Sequence, residues 1–471
     1  MQPSMFNLRV PLEARDEIFL MNTLTDAQLV VSRDVADLLD RAAQSVFIGR
    51  TPSDEERDAL TLLTDNGFLV ESRDAERAAL DRYLTSVKED SSELHITLLT
   101  TLQCNFACDY CFQGDHGDYN ANADKMSLDT ALRVADWFER ELDRIRPEKF
   151  VLTFFGGEPL LNLPVMYLLA ERARRAADAR GLTLFTNIIT NGLLLTPEVV
   201  DRMLPFGLNG VKITLDGDKD THNRMRPLRG GQGTFDRIVA NIRQVAGRVR
   251  IAIGGNFDEA TAGSFPALLE YLRAQDFADQ LVKVNFKPII RTEPVTAKGI
   301  IPLIPVGASG AKEALKGTCM TSVGSGAGAA CDSCHTMEDQ MTLIREETQR
   351  HGFPTSDGIP KGMCHVHKTH AHTIGPDGSL YACPGFTGQL ALSTGHIDDR
   401  KDSWRDSALE RFEQLHPWKD CGDCAFIPTC AGGCVAASHS QLGDMNTPTC
   451  HKPSYESALI ALAHTAASAA A

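Results

Sequence analysis

The cysteines constrain this chain more than any other feature of its sequence. Of the 13 cysteines, none lies before position 104, three lie within residues 104–111, three within 319–334 and seven within 364–450. The number is odd, and residues 1–10 lack the basic segment and apolar core of an export signal, so metal or redox use is expected rather than a disulfide framework. We therefore predict a cytoplasmic protein with metal-binding regions.

Composition and charge narrow the class of protein further. The 471 residues suffice for about two to four domains, and 43% hydrophobic with 23% charged residues is ordinary for a globular chain. The formal net charge is −15, the wrong sign for general binding of nucleic acid or anionic membranes. No run of about 18 apolar residues occurs. We expect neither a nucleic-acid partner nor a membrane partner, and the oligomeric state stays unknown.

Apolar runs alternate with amphipathic segments, such as 127–144 and 235–246, in the middle of the chain. The runs cover residues 94–99, 149–155, 182–189, 210–215, 249–254 and 282–289. Repeated strand–helix units predict an α/β fold with a parallel sheet, here a partial (β/α)6 TIM-like barrel. The reactive groups of such a barrel lie at the carboxyl ends of its strands.

The flanking regions differ from this repeat. Residues 16–84 suggest a short strand pair and helices, with Ser53 as a helix N-cap, in a small winged-helix-like module. Residues 364–455 are rich in Cys, Gly and Pro, typical of a fold organised by metal, and the Ala-rich tail suggests a helix that frays. We predict an N-terminal domain, a barrel, a Cys-containing insertion, a Cys-rich domain and a tail, at residues 1–88, 89–300, 301–363, 364–455 and 456–471.

Cys104, Cys108 and Cys111 follow the first predicted barrel strand in a C-x3-C-x2-C arrangement. Three thiolates on one loop suit a four-iron cluster with one iron open to a small molecule, because each iron needs its own ligand. A structural zinc site without its fourth ligand is the alternative. With Tyr110 before the third cysteine, this spacing resembles the signature of the radical S-adenosylmethionine (SAM) superfamily.

The resemblance to radical SAM enzymes extends to segments that follow later strands. The positions that match residues near SAM are Tyr110, Gly156, Gly157, Glu158, Asn191, Thr214, Asp216 and Arg226. The resemblance implies a [4Fe-4S] cluster on the cysteine triad, reduced by a donor such as flavodoxin or ferredoxin. It further implies cleavage of SAM to methionine and a 5′-deoxyadenosyl radical, which abstracts a hydrogen from the substrate.

A second pattern, of seven cysteines with Gly378 between the first two, resembles the SPASM domain. This is the auxiliary-cluster module of radical SAM enzymes that modify peptides and proteins. The resemblance implies two auxiliary iron–sulfur clusters of the [4Fe-4S] type. The implied ligand sets are Cys364, Cys383 and Cys434 for the first, and Cys421, Cys424, Cys430 and Cys450 for the second.

The first of these sets lacks one ligand. A histidine, a cysteine of the insertion or the substrate itself could fill the position; the nearby histidines are His365, His367, His370 and His372. Pro384 stands where anaerobic sulfatase maturases have an aspartate that is regarded as the general base. Because proline cannot accept a proton, formylglycine formation is less favoured and the general base is unknown.

Three cysteines belong to neither pattern: Cys319, Cys331 and Cys334 lie in the Gly-rich insertion. They could hold a further cluster, supply the missing ligand or form a redox pair. A zinc site with His335, or thiols without a role, are the alternatives. The sequence leaves them unassigned.

The N-terminal module resembles the peptide-recognition domain that occurs alone as the peptide chaperone of pyrroloquinoline quinone biosynthesis and fused to many peptide maturases. In that domain a leader peptide adds a strand to a sheet edge. A DNA-binding winged helix is the alternative, but the module is acidic. Its second helix and the turn after it carry Asp54, Glu55, Glu56, Asp58 and Asp65. We expect this module to bind a leader peptide.

Together these resemblances predict a radical SAM oxidoreductase that installs a thioether or carbon–carbon crosslink in a ribosomally made precursor peptide. One alternative is the modification of a larger protein, such as a sulfatase or a quinone-bearing subunit. The other is an iron–sulfur redox protein without turnover. Residues 156–159 argue against the last, because a pure electron carrier has no reason to bind SAM.

Overall fold

The N-terminal domain contains five short strands and three helices. The computed structural model describes residues 1–43, 52–111, 124–289, 332–355, 359, 362–399, 407–450 and 452–469. The elements of this domain are β1 (Gln2–Pro3), β2 (Asn7–Leu12), β3 (Glu17–Asn22), β4 (Gln28–Ser32), α1 (Arg33–Ala43), α2 (Asp54–Asp65), β5 (Leu69–Val70) and α3 (Arg73–Lys88). β2, β3 and β4 form an antiparallel sheet in that order, while β1 pairs with β5. The sequence patterns missed β2, which makes the sheet three-stranded.

Ser53 caps α2 as its position predicts. Its hydroxyl accepts a hydrogen bond from the Glu56 amide, and the Glu56 carboxylate accepts one from the Ser53 amide. This reciprocal pair satisfies two backbone donors that the first turn of a helix leaves free.

Six parallel strands form the partial barrel and confirm the predicted α/β architecture. The barrel elements are β6 (Glu93–Leu99), α4 (Leu128–Ile145), β7 (Lys149–Phe155), α5 (Leu163–Arg180), β8 (Thr183–Thr190), α6 (Pro197–Met203), β9 (Leu208–Thr214), α7 (Lys219–Met225), α8 (Phe235–Val245), β10 (Arg250–Phe257), α9 (Phe265–Arg273) and β11 (Leu281–Pro288), with α10 (Asp332–Arg350) after them. Alternate residues of β7, namely Phe150, Leu152 and Phe154, are fully buried in the core that the helices cover. The residues between them face the barrel interior, as the two-residue period of a strand requires.

The Cys-rich C-terminal region contains β12 (Ala371–Ile374), β13 (Ser379–Tyr381), β14 (Gly395–His396), α11 (Ser407–Glu413), α12 (Ile427–Cys430), α13 (Val435–Leu442) and α14 (Lys452–Ala469). β12 pairs in parallel with β6, with Ala371 opposite His95, and β13 and β14 follow antiparallel. The barrel sheet therefore continues into the C-terminal region as one nine-stranded sheet. Within the described residues, no helix has the length and apolar character needed to cross a bilayer.

The C-terminal helix α14 packs against the N-terminal domain, whereas we expected a fraying tail. Ala458, Leu459 and Ala463 are buried in one apolar cluster with Val10 and Phe19 of the N-terminal sheet. The Ala-rich composition serves this contact, because small side chains let the helix approach the sheet closely. The helix thus joins the last described part of the chain to the first.

Leu459→Ala is expected to lower the free energy of unfolding by about 2–4 kcal/mol, because Leu459 is only 5% exposed and its removal leaves a cavity. Ile460→Ala is the matched control. Ile460 is 44% exposed, so its truncation should cost less than about 1 kcal/mol. Urea denaturation of both variants measures the difference; equal losses would show that α14 does not pack on the N-terminal sheet.

Candidate functional site

The cysteine triad lies on the loop that follows β6, at the carboxyl end of the barrel strands. A segment after α7 holds this loop, since the Ala107 amide donates to the Pro227 carbonyl at 2.9 Å and the Arg229 amide donates to the Asn105 carbonyl at 3.3 Å. The Phe106 amide also donates to the Cys104 sulfur at 3.4 Å. The loop is thus fixed by backbone contacts at Asn105 and Ala107, between its first two cysteines.

The thiols of the triad sit in a poorly solvated environment. Burial raises the pKa of Cys104 to about 12 and that of Cys108 to about 11. Such thiols ionise when a metal binds, and the amide donors around Cys104 suit a thiolate ligand. Within the described residues, no three His, Cys, Asp or Glu side chains lie close enough to hold a single metal ion.

Gly157 belongs to the turn that follows β7, and it packs against the start of the cysteine loop. Its amide donates to the Thr101 carbonyl at 2.9 Å, and the Glu158 amide donates to the Gln103 carbonyl at 2.8 Å. A Cβ at position 157 would lie 2.1 Å from the Gln103 oxygen. Glycine is therefore required here for backbone to meet backbone, which positions the cysteine loop.

Glu158 is fully buried and ties the ends of neighbouring strands together. Its carboxylate accepts hydrogen bonds from the Leu160 amide at 3.0 Å, the Thr190 hydroxyl at 2.8 Å and the Asn191 amide at 2.8 Å. Burial raises the pKa of Glu158, whereas these donors stabilise its ionised form. In this structure Glu158 is a positioning residue for the end of β8.

Asn191 connects that strand end to the cysteine loop. Its side-chain amide donates to Asn105 Oδ1 at 2.7 Å and lies 4.0 Å from the Cys104 sulfur. Thr214, at the carboxyl end of β9, is half-buried and stands opposite Gly254 of β10. Both predicted residues therefore lie at the same edge of the barrel as the triad.

Tyr110, Asp216 and Arg226 meet in one hydrogen-bond network. The Tyr110 hydroxyl donates to Asp216 and accepts from Arg226, whose Nη1 also lies 3.4 Å from Asp216 Oδ2. Burial alone lowers the pKa of Arg226, but Cys108, Tyr110 and Asp216 raise it well above its usual value. The guanidinium Nε is buried and has no partner among the described residues. That donor is available to an anionic group such as the SAM carboxylate.

Two residues of this network have no counterpart among the predicted site residues. Asn256, near the carboxyl end of β10, donates its amide N–H to Asp216 Oδ1 at 2.7 Å and its side-chain NH2 to the Tyr110 hydroxyl at 3.2 Å. His222 Nδ1 accepts from the Asp216 amide at 3.1 Å, and burial lowers the pKa of His222 well below its usual value, so the ring is neutral. The position of Asn256 at a strand end was the available sequence signal.

In the first predicted auxiliary set, Cys364 and Cys434 lie near enough to Cys383 to affect its ionisation. Burial raises the pKa of Cys383 to about 12, and the nearby Cys364 and Cys434 thiols add to the shift. Backbone amides donate to Cys383 from Gly385 at 3.4 Å and to Cys434 from Ala437 at 3.5 Å. A Cβ on Gly388 would lie 3.7 Å from Leu102. The loop that carries Cys383 thus reaches the segment that leads into the cysteine triad.

In the second predicted set, Cys430, Cys424 and Cys450 likewise lie near enough to Cys421 to affect its ionisation. Burial raises the pKa of Cys421 to about 12, and the thiols of Cys430, Cys424 and Cys450 add to the shift. Cys421 and Cys424 pack on an apolar cluster that includes Phe6 of the N-terminal domain. This set therefore lies where the Cys-rich region meets the N-terminal domain.

Three of the four histidines after Cys364 contact other aromatic rings. The His365 ring centroid lies 4.5 Å from that of His95, His367 lies 5.6 Å from Trp418, and His372 lies 5.3 Å from Trp137. Buried ring nitrogens of His367, His370 and His372 have no hydrogen-bond partner among the described residues, so a histidine stays one of the predicted alternatives for the missing ligand. Cys319 and Cys331 and the side chain of Cys334 lie outside the described residues.

Comparison with known proteins agrees with this site. A family model for the Radical SAM superfamily matches residues 98–255. GTP 3′,8-cyclase of Synechococcus sp. (strain WH7803) is 33% identical over 172 residues, 36% of this chain and 46% of that protein. The chain thus spans just under half of that relative's length. Mycofactocin maturase MftC of Mycobacterium tuberculosis is 25% identical over 377 residues, 73% of this chain and 78% of that protein.

Solved structures share the fold at low identity. The structure of anSMEcpe with bound AdoMet and Cp18Cys peptide has a TM-score of 0.57 at 18% identity and covers 79% of this chain and 99% of that one. Streptococcus suis SuiB bound to precursor peptide SuiA has a TM-score of 0.50 at 13% identity and covers 96% of this chain and 99% of that one. Residues 98–255 therefore carry a radical SAM domain, a type of domain whose shared cofactor is a [4Fe-4S] cluster that binds SAM.

Proposed function

We propose that this enzyme is a peptide maturase that crosslinks a ribosomally made precursor peptide by a thioether or carbon–carbon bond. The observation that carries the proposal is the attachment of the N-terminal domain to the cysteine-rich region. Arg77 of α3 forms an ion pair with Asp423, between two cysteines of the second set, at 3.2 Å. The Thr23 hydroxyl donates to the Ala425 carbonyl on the same side. A leader held by this domain would place the rest of the peptide beside the cysteine-rich region and the barrel.

The N-terminal sheet has the geometry that strand addition needs. In the sheet order β2-β3-β4, the outer edges of β2 and β4 have no strand partner among the described residues. An extended peptide can satisfy the free backbone groups of such an edge. The relatives support a peptide substrate, since MftC is named a maturase and the SuiB structure contains a precursor peptide. The match to GTP 3′,8-cyclase covers only about a third of this chain and supports the radical chemistry rather than the substrate.

At the barrel mouth, the chain's own residues would orient SAM. Cys104, Cys108 and Cys111 would hold the cluster, and the free Nε of Arg226 would donate to the SAM carboxylate. When bound, the cluster and SAM supply a carbon radical that removes a hydrogen atom from the substrate. Asp216 keeps the Arg226 guanidinium in place through their 3.4 Å contact.

We further propose that the seven cysteines within residues 364–450 hold two auxiliary clusters. The sets are Cys364, Cys383 and Cys434, and Cys421, Cys424, Cys430 and Cys450. Forming a crosslink removes two hydrogens from the peptide, one as a hydrogen atom and one as a proton with an electron. The auxiliary clusters would supply an acceptor for that electron, and a flavodoxin or ferredoxin would reduce the enzyme.

The test is the mass of a short Cys- or aromatic-containing peptide, encoded beside this gene, after anaerobic incubation with SAM and a reductant. We expect the loss of two hydrogens per crosslink, and modification at least about ten-fold slower when the leader segment is removed. The leaderless peptide is the matched control. Abundant 5′-deoxyadenosine with an unchanged peptide would contradict the peptide substrate and favour a larger protein target.

A further inference from the structure

Three lysines share the inner face of the barrel on neighbouring strands. Lys212 of β9 is opposite Ala252 of β10, and Ala252 is opposite Lys283 of β11, so the two lysines flank one residue. Asn256, four residues after Ala252 on the same face of β10, is opposite Lys287 of β11. This register places all three lysines on one face of three adjacent strands.

That face is the barrel interior. Val211, Ile213 and Val284 alternate with the lysines and are fully buried in the core beneath the helices. Lys212 is reached by solvent from the opposite side, because the interior of a partial barrel is open. A Cβ at Gly254 would lie 2.6 Å from Lys212 Cε, so the absence of a side chain there lets the lysine lie along β10.

The lysine side chain therefore runs toward the SAM site. Gly254 stands two residues beyond Ala252 and opposite Thr214, in the direction of the carboxyl end of the strands. Asn256, which donates hydrogen bonds to Tyr110 and Asp216, is the next residue on the same face of β10. An anion held by the lysines would thus lie next to the residues that border SAM.

No negative charge of the barrel strands balances these lysines. Although Lys212 is exposed at the open side of the barrel, the surrounding strands desolvate its ammonium group and lower its pKa to about 8. Among the described residues, the charged groups that add to this shift are Lys287 and Lys283. Glu93 is the only acidic residue in the six barrel strands, and it pairs with Lys149 at 2.9 Å at the amino end of β6. In a chain with a net charge of −15, this basic interior is a local exception.

We propose that Lys212, Lys283 and Lys287 form a subsite that binds a carboxylate of the peptide segment entering the barrel. The carboxylate is an acidic side chain or the C-terminal carboxylate, and the inference rests on the proposed peptide-maturase function. Neighbouring ammonium groups in a confined interior repel one another, and an anion between them removes this repulsion and forms charge-assisted hydrogen bonds. The subsite would fix the position of the substrate hydrogen relative to SAM.

Binding of synthetic peptides to the anaerobically reconstituted holoenzyme with SAM tests this subsite without turnover. Three peptides of one length are compared: one with two glutamates and an amidated C-terminus, one with two glutamines and an amidated C-terminus, and one with two glutamines and a free C-terminus. A fourth probe is GTP. We expect a peptide with a carboxylate to bind at least about ten-fold more tightly than the amidated glutamine peptide, with the difference shrinking at high salt. The two carboxylate peptides separate the side-chain source from the C-terminal source.

The triple variant Lys212→Gln, Lys283→Gln, Lys287→Gln should bind all three peptides equally. The control variant carries Lys88→Gln, Lys219→Gln and Lys452→Gln, outside the barrel interior, and should keep the preference. Independently of the variants, the carboxylate peptides should slow acetylation of Lys212, Lys283 and Lys287 in the wild-type holoenzyme, as mapped by mass spectrometry.

Equal binding of all three peptides to the wild type, or a preference that survives in the triple variant, overturns the subsite. Lysine-dependent binding of GTP with no carboxylate preference among the peptides also overturns it as a peptide site. These outcomes are distinct from failure of the proposed function, which appears as an unmodified precursor in the mass experiment. A carboxylate preference can therefore be established even before the natural precursor is found.

Discussion

Cys104→Ala should reduce the formation of 5′-deoxyadenosine from SAM to background and remove about four iron atoms per protein. The reason is that Cys104 is one of three thiols on a loop with no fourth cysteine to replace it. Anaerobic reconstitution, followed by iron and sulfide determination and by chromatography of the SAM products, measures both effects.

Cys424→Ala provides the comparison for this result. Cys424 belongs to the set that packs on the N-terminal domain, away from the cysteine loop after β6. This variant should retain SAM cleavage but lose the modified peptide. Normal product from both variants would contradict the assignment of the two sites, whereas loss of SAM cleavage in both would mean that they depend on each other.

A second large effect, a loss of unfolding free energy, is expected for Asp216→Asn. Asp216 is 0% exposed and Arg226 is 11% exposed in its side chain, so the substitution leaves a buried guanidinium without its counter-charge. Breaking a buried pair from one side costs about 3–5 kcal/mol of unfolding free energy. Asparagine keeps the shape and the acceptor for the Asn256 amide, so the charge alone is tested.

Asp201→Asn is the matched control for the buried pair. Asp201 forms an ion pair with Arg248 at 3.1 Å, but both side chains are about half exposed. Water screens such a pair, and its loss should cost below about 1 kcal/mol. Urea denaturation under anaerobic conditions compares the variants, and the double variant Asp216→Asn, Arg226→Gln should recover part of the loss. If the urea midpoint of Asp216→Asn equals that of the wild type, the network does not support the site.

The barrel and the cysteine triad were predictable because their signals are local. Each barrel strand is an apolar run with a helix after it. The three cysteines of the triad lie within eight consecutive positions, from Cys104 to Cys111. The expected SAM-side residues, such as Asn191 and Arg226, also lie at the carboxyl edge of the strands because motifs mark the strand ends. Their individual roles toward SAM stay predictions.

The remaining features depend on contacts between distant parts of the chain. β12 has four residues and pairs with β6, far earlier in the sequence, so no local period could indicate that the sheet continues there. Asn256 carries no motif, and its role appears only where β10 meets Tyr110 and Asp216. Gly157 was expected to lie near SAM, which stays a prediction, whereas its close contact with the Gln103 backbone appears only in the structure. Such partners follow from tertiary packing rather than from residue type.

The cluster that α14 completes has a consequence for synthesis on the ribosome. The apolar face of the first sheet is covered by segments that are encoded much later in the message. The covered residues are Val10, Leu12, Phe19 and Met21, and the cover is formed by Ile359, Phe426 and helix α14. At about 5–20 residues per second, the apolar face of the first sheet waits on the order of a minute for its cover. During that interval the nascent N-terminal domain exposes an apolar surface, and its early protection falls to chaperones. A premature stop before α14 would therefore release a chain whose first domain, and not only its last, is left incompletely packed.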